Sequence, residues 1–565
     1  MFESIKTKIL LPSFFIVMLL LIVTWQMIPI NFETNDDSGI MGYITGARTG
    51  YPEADTIFSL YLWGRAVSAL YSINGKVPWY ILIFLSLICI SLWVVCYCIM
   101  DIFHSQGQAV FMGAAVFLIL YCSMFLYYSV LIQFTAVSAY CGIAAITLLQ
   151  TYKYEASKVK RIVVNSIIFL LMFFSINIRS RVGYMVLGSA FCVVVMEFGY
   201  VFLCKNKFKQ RNVLRNMIFS FSVMTAAVIL SLAAHRIHES SSQWREFREF
   251  HRERSLYTDY EKKAYEDTEV YKNIGWSENL YDLTAKWFFM DESVDTHTFK
   301  TINEQNDCRT IKVSVILKSM FSYERMIGIQ ILMWGLVLLV CLYDNLIRGG
   351  TSGRQMIPFL WVVIWFLGII FFANRGRIVR RVLESWTLLV VLPSIIEILQ
   401  NNERIQKKTK RFDYVFTIVT CMFFVGMKNG LYCNASQVSK EIQQGKEAKE
   451  KVEHYVMDRP DNLYIYDYSL TYAGEPWSVY PDKKPYNLIF WGGAGYHSPL
   501  YYKQLQKNGF DHIYEEDFFR DNIFFMGQKD IDVNLLSFMK ERYPNCVCNV
   551  VDKNELFVIY KFSYP

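Results

Sequence analysis

The sequence predicts an α-helical polytopic membrane protein with about eleven transmembrane helices and a small C-terminal extracytoplasmic α/β domain. Three observations predict it. Of the 565 residues, 53% are hydrophobic and only 19% are charged, whereas a soluble globular chain carries about 25% charge. The missing charge leaves apolar blocks of roughly 17–23 residues, the length a helix needs to cross about 30 Å of hydrocarbon. The last stretch, residues 429–565, reads instead as short strands and helices of globular composition. Together these exclude a soluble enzyme, a disordered chain, a collagen and a disulfide scaffold. The net charge of +7 sits mostly in short loops between apolar blocks, where it orients spans, so no nucleic-acid partner is expected.

The predicted spans are 9–30, 78–100, 108–127, 131–150, 162–178, 183–204, 217–234, 326–345, 357–373, 383–399 and 412–428. The first is too long for a signal peptide and lacks a small-residue cleavage site, so it reads as an anchor. With the N-terminus inside, eighteen Lys and Arg residues fall on inner segments, against nine in the short outer loops. That asymmetry favours a cytoplasmic N-terminus and an outer C-terminus. A transmembrane domain, 1–428, then carries large outer loops at 31–77 and 235–325, and 429–565 forms the outer domain.

Within that domain, Leu463–Asp467 and Asn487–Trp491 read as strands, and Ser498 with Pro499 opens a helix. A second helix is expected over Asn534–Tyr543. Cys546–Val551 and Leu556–Phe562 form a closing strand pair turned at Asp552-Lys553-Asn554. Gly492-Gly493-x-Gly495 has the wrong spacing for a dinucleotide loop and reads as a turn. Nine of the thirteen cysteines lie in or beside apolar spans as small hydrophobes. A disulfide among Cys308, Cys433, Cys546 and Cys548 stays open. There is no Walker lysine motif, no G-x-S-x-G and no H-E-x-x-H.

The chemistry-bearing residues are those that break membrane rules. Asn35-Asp36-Asp37 follows span 1 within a few residues. Adjacent carboxylates at an interface repel one another and lose solvation; binding a cation or taking a proton in a reaction accounts for them. The competing reading is a helix start capped by Asp37 or Ser38. Asn374 to Arg381 places Arg375, Arg377, Arg380 and Arg381 in one outer loop, and Arg179 and Arg181 flank Ser180 in another. Arginine's planar fork matches phosphate oxygens. These six are candidate holders of a lipid-borne phosphate; pairing with headgroups or acidic side chains is the alternative.

Glu53–Tyr71 is amphipathic and reads as one or two interfacial helices. Gln133 either starts span 4 or lines a cavity. Glu197 snorkels toward Lys205 or Lys207. In the long loop, Arg254, Asp259, Tyr260 and Trp276 suit a sugar-binding surface as well as they suit a folded loop core. His235 and His238 have no third ligand at metal-binding spacing.

An acid pair after span 1, interfacial helices in a long first outer loop, ten or more spans and an outer C-terminal domain resemble the GT-C superfamily of integral membrane glycosyltransferases. Gly46-x-x-x-Gly50-Tyr51-Pro52, and Leu70-Tyr71 before Pro78-Trp79-Tyr80, resemble bacterial members that build surface polysaccharide. The resemblance implies a polyprenyl-phosphate-linked sugar donor and transfer on the outer face; the expected reaction is transfer with inversion to a glycan or glycopolymer acceptor at a bacterial plasma membrane. It further implies a first-loop aspartate, here Asp36 or Asp37, as general base or metal ligand. No cofactor is fixed; a divalent cation, Mg2+ or Mn2+, held by Asp36 and Asp37 is the open case. A W-W-D signature is missing, which argues against transfer to asparagine. Two other classes stay open: an outer-face polysaccharide polymerase, which would rely on the arginines, and a non-enzymatic lipid-linked-sugar flippase or transporter, which would need polar residues along the spans.

Overall fold

The structure is a computed structural model that describes residues 2–105, 107, 109–152, 158–203, 207–260, 262–305, 357–374, 379–401, 410–528 and 531–564. The span expected at 326–345 lies outside the described residues, as do Arg375, Arg377 and Cys308.

The chain is an α-helical polytopic membrane protein with a small α/β module. Among the described residues, eight helical segments are long and apolar enough to cross a membrane. In order, α1 (Phe2–Met27) is followed by two first-loop helices, α2 (Asn35–Ile44) and α3 (Tyr61–Ile73). Then come α4 (Trp79–Ser105), α5 (Val110–Leu120), a π-helical turn at Tyr121–Phe125, and α6 (Leu126–Val130). α7 (Phe134–Thr151), α8 (Lys158–Ile178), α9 (Ser180–Leu203) and α10 (Lys207–His238) complete the first bundle. After α10, the helix Arg380–Asn401 is the eighth span, and a shorter apolar helix, Ile357–Asn374, precedes it. The expected span 412–428 forms the start of a 48-residue helix, Lys410–Met457, that runs unbroken into the α/β module.

α7 sits at the centre, with nearly every side chain buried. It is also the least apolar of the eight, because a helix surrounded by helices needs small residues for close approach rather than a greasy outer face. A Cβ on its Gly142 would lie 2.1 Å from a methyl of Val186 on α9. Pro393 removes a backbone donor inside Arg380–Asn401 and frees the carbonyl of Leu389 four residues back. The Ser189 hydroxyl on α9 donates to that carbonyl at 2.6 Å, satisfying it where no water is available.

Beyond one end of the bundle, the second loop folds into α11 (Ser242–Asp259), α12 (Val270–Asn273), α13 (Glu278–Ala285) and α14 (Thr296–Gln305). These pack on a five-stranded sheet of β3 (Leu463–Tyr466), β4 (Leu488–Phe490), β5 (Ile523–Gly527), β6 (Val547–Lys553) and β7 (Val558–Ser563). The spatial order is β4-β3-β5-β7-β6; β3, β4 and β5 are parallel, and β7 is antiparallel to β5 and β6. Ser498 caps the following helix through Tyr501 N–H, with Pro499 at its first position. The strand missing from the sequence reading is β5, the middle of the sheet. It is a continuous apolar run, without the alternation that marks a strand with one wet face.

The loop and the sheet share one core. Phe289 N–H donates to Trp491 O at 3.0 Å, Phe288 bridges Gly492, and the Trp491 indole donates to Lys286 O at 3.1 Å. Cys546 and Cys548 are free thiols. The first-loop stretch between α2 and α3 is pinned by the Asp55–His238 hydrogen bond at 2.7 Å and the Glu53–Lys503 ion pair at 2.8 Å.

Trp491→Ala removes a ring 1% exposed at this junction, a change that typically costs about 3–5 kcal/mol. Because the core is shared, limited proteolysis of the variant should open the 242–305 segment and the sheet at the same temperature. Cleavage of the loop segment well before the sheet would show two independent units.

Candidate functional site

The site is built from the start of the first loop. After α1, β1 (Asn31–Phe32) pairs in parallel with β2 (Leu131–Ile132), and Glu33 N–H donates to Ile132 O at 3.0 Å. This short ladder brings the start of α2 against the start of α7. α2 carries Asp36 and Asp37 in its first turn, where the helix dipole favours negative charge. Its N-cap, Thr34, makes no side-chain cap bond; the acids lie inside the helix rather than capping it. Gln133 takes the helix-start role at α7, accepting from Thr135 N–H and Ala136 N–H.

The two aspartates part company. Asp37 is fully buried. It accepts the Tyr80 hydroxyl at 2.9 Å and Phe134 N–H at 3.1 Å on Oδ1, with Phe134 N–H 3.4 Å from Oδ2. Burial raises its pKa well above the ordinary carboxylate value; the Tyr80 bond pulls the other way and the Asp36 charge adds to the rise. Asp36 keeps about a quarter of its side chain exposed and pairs with Arg381, Oδ2 to Nη2, at 3.0 Å. Thus the first-loop acid meets the arginine loop 345 positions away.

Arg380 turns the other way. Its Nε donates to Glu384 at 2.8 Å, and its guanidinium lies 4.1 Å from the centre of the Tyr127 ring. Glu33 accepts the Tyr127 and Tyr128 hydroxyls at 3.4 and 3.5 Å. Burial, reinforced by Glu384 and opposed by Arg380 and Arg381, raises Glu33 to about 7. Arg179 covers the Phe58 and Phe134 rings at 5.6 and 5.1 Å, which puts it beside the backbone that holds Asp37. Arg181 is exposed at the start of α9.

A cavity of about 340 Å³ opens between α2, the helix Lys410–Met457 and the sheet module. Asp36 lines it and Asp37 does not. Phe58, Trp287, Tyr43, Tyr466, Arg48 and Lys449 are also in its wall. The glycine run expected as a turn forms part of that wall: Gly493 has φ +89°, and a Cβ on Gly492 would lie 1.8 Å from Trp287 O. Only glycine fits such a conformation and such an approach.

The long-loop residues divide. Arg254 is buried, with its guanidinium 4.9 Å from the Trp287 ring centre and Nη2 3.2 Å from His251; it therefore backs a cavity-wall ring. Asp259 ends α11 and Tyr260 follows as its C-cap; neither lines the cavity. Trp276 is a correction to the sugar-surface reading. It is 2% exposed and packs among Tyr257, Tyr271 and Phe299, so its faces belong to the loop core.

Arg48, Lys449, Glu33 and Glu384 were not expected from the sequence. Glu384, four residues after Arg380, is the one that pair spacing reveals. Among the described residues, no three His, Cys, Asp or Glu side chains group as metal ligands. With Asp37 taken up by Tyr80 and Phe134, and Asp36 by Arg381, the acid pair does not fit a cation held between the two.

No family model matches the chain, and no curated protein matches it. Similar solved structures include ArnT from Cupriavidus metallidurans bound to undecaprenyl phosphate and the same protein in the apo state. Both are 12% identical to this chain and cover 99% of it and 97% of their own chain, with TM-scores of 0.43 and 0.42. Likeness at that level carries no argument about function, which rests on the geometry above.

Glu33 gives the site a signed pH dependence. The folded form keeps a proton between the ordinary carboxylate pKa and about 7 that the unfolded chain releases. The stabilisation is therefore complete at low pH and is lost as pH rises through 7. Glu33→Gln, which mimics the neutral acid, should gain melting temperature over the parent between about pH 5 and pH 8. A difference that stays flat over that range would sink this assignment.

Proposed function

We propose that this chain is a membrane glycosyltransferase that moves a sugar from a polyprenyl-phosphate donor to a glycan or glycopolymer acceptor on the outer face of a bacterial plasma membrane. The observation that carries it is the 3.0 Å contact of Asp36 with Arg381, with Asp36 in the wall of a cavity roofed by the sheet module. A base beside a phosphate-matching cation is what displacement at an anomeric carbon with a phosphate leaving group needs.

In this reading Asp36 takes the proton of an acceptor hydroxyl. The acceptor oxygen bonds to the anomeric carbon from one side. The bond from that carbon to the lipid phosphate breaks on the other, and the phosphate leaves with the electron pair, so the carbon inverts. Arg381 positions the carboxylate and places positive charge beside the departing phosphate. Arg179, seated over Phe58 and Phe134, is a second cation for the donor. Asp37 is a positioning residue: buried and bonded to the Tyr80 hydroxyl and Phe134 N–H, it ties α2 to α4 and α7.

Asp36→Asn should lower turnover by about 10²–10⁴-fold, the usual loss for a general base, with donor affinity nearly unchanged. Asp37→Asn keeps an acceptor oxygen for Tyr80 and Phe134, so its turnover should fall less than about tenfold. Arg381→Ala should weaken donor binding by about 10- to 150-fold, corresponding to about 1.5–3 kcal/mol for a charge-assisted bond. Arg381→Lys should recover only part of that. Turnover in Asp36→Asn within about threefold of the parent would reject the reading.

Sidedness is tested separately. In a cysteine-free background, single cysteines introduced at the exposed positions Glu278 and Lys540 should react with an impermeant maleimide in intact cells, and one at Lys158 should not. The opposite pattern would move the site to the cytoplasmic face.

A further inference from the structure

The cavity holds two cations that the transfer chemistry does not use. Arg48 follows α2 and folds back along it. Gly39 and Gly42 leave the helix face bare there: a Cβ on Gly42 would stand 3.0 Å from Arg48 Nε. The guanidinium also lies 4.9 Å from the Tyr43 ring centre. Lys449 comes from the helix Lys410–Met457, and its Nζ would be 3.3 Å from a Cβ on Gly474, whose N–H donates to Ser38 Oγ on α2. Glycines thus clear the space into which both cations reach.

The other charges of the wall are engaged elsewhere. Lys446 pairs with Glu475 at 2.5 Å, Asp36 pairs with Arg381, Glu450 is exposed, and Glu453 accepts the Tyr480 hydroxyl at 2.8 Å. Among the described residues, neither Arg48 nor Lys449 has a carboxylate at ion-pair distance. Two cations therefore share a tyrosine-lined space with Glu453 and the exposed Glu450. Burial lowers the pKa of Lys449, Glu453 opposes that, and Arg48 adds to it. An arriving anion would relieve the repulsion between the two cations. At about 340 Å³ the cavity is at the small end of ligand sites, suited to a sugar unit rather than to a lipid tail.

We propose that Arg48 and Lys449 form a subsite for the acidic group, carboxylate or phosphate, of a glycosyl unit held in this cavity. The inference deepens the transferase reading and rests on it: the enzyme handles an acidic sugar, not a neutral one.

The test is direct binding to the full chain in lipid nanodiscs, with methyl β-glucuronide, glucose 6-phosphate, methyl β-glucoside and inorganic phosphate as probes. One or both acidic sugars should bind at least about tenfold more tightly than the neutral glucoside, and the tighter of the two identifies the acid. Arg48→Gln and Lys449→Gln should each remove about tenfold or more of that preference and leave the glucoside unchanged. Lys503→Gln, at the Glu53 contact outside the cavity, should change nothing. Equal binding of acidic and neutral sugars by the parent protein, which needs no variant, overturns the proposal. So does inorganic phosphate binding as tightly as glucose 6-phosphate, which would mark a lone ion site. Asp36→Asn separates the two readings: acid preference with full turnover leaves the subsite and rejects the base, whereas lost turnover with no acid preference does the reverse.

Discussion

Everything at this site depends on burying one carboxylate. Asp37 has no contact with water, and an unpaired acid there would cost several kcal/mol. Tyr80 from α4 and the free N–H at the start of α7 answer it. α7 can offer that N–H because the first donors of a helix have no partner within it. One side chain thus ties the first loop to two spans, and the β1–β2 ladder fixes the approach. Asp36, the next residue back on α2, is left facing the cavity by helical geometry alone.

The charges around it form two linked arms rather than a scatter of exposed arginines. One arm is Asp36 with Arg381; the other is Glu33, Arg380 and Glu384 with the Tyr127 and Tyr128 hydroxyls. Arg380 and Arg381 are sequence neighbours on one helix start, so the arms cannot move independently. Buried pairs of this kind add little net stability, but removing one member strands the other. Their effect is positional: they hold a carboxylate and a guanidinium side by side before any substrate arrives.

The roof over the cavity joins segments that are far apart in the chain. The helix Lys410–Met457 carries the last apolar stretch directly into the sheet module without a linker, and the second loop completes that module's core. Trp276 shows why an aromatic-rich loop is ambiguous in sequence: the same rings suit a sugar face and a packed interior. Here the rings close on one another, because a loop of that length needs its own core to remain folded.

The amino-acid sequence by itself determined the eight spans seen among the described residues, the strand pair at the C-terminus, the capped helix at Ser498 and the acid pair as the feature to explain. These are local properties: crossing a bilayer demands length and apolarity in one continuous segment, and caps and turns are written within a few residues. It did not determine β5, whose unbroken apolar run carries no strand period. Nor did it separate Asp36 from Asp37, for both are acids at one helix start and only their neighbours differ. Tertiary structure alone decided that Arg381 rather than Arg380 meets Asp36, that Arg254 backs a cavity ring, and that Arg48 and Lys449 face one space. Each of those outcomes depends on how helices hundreds of residues apart pack, and no local pattern encodes a distance between them.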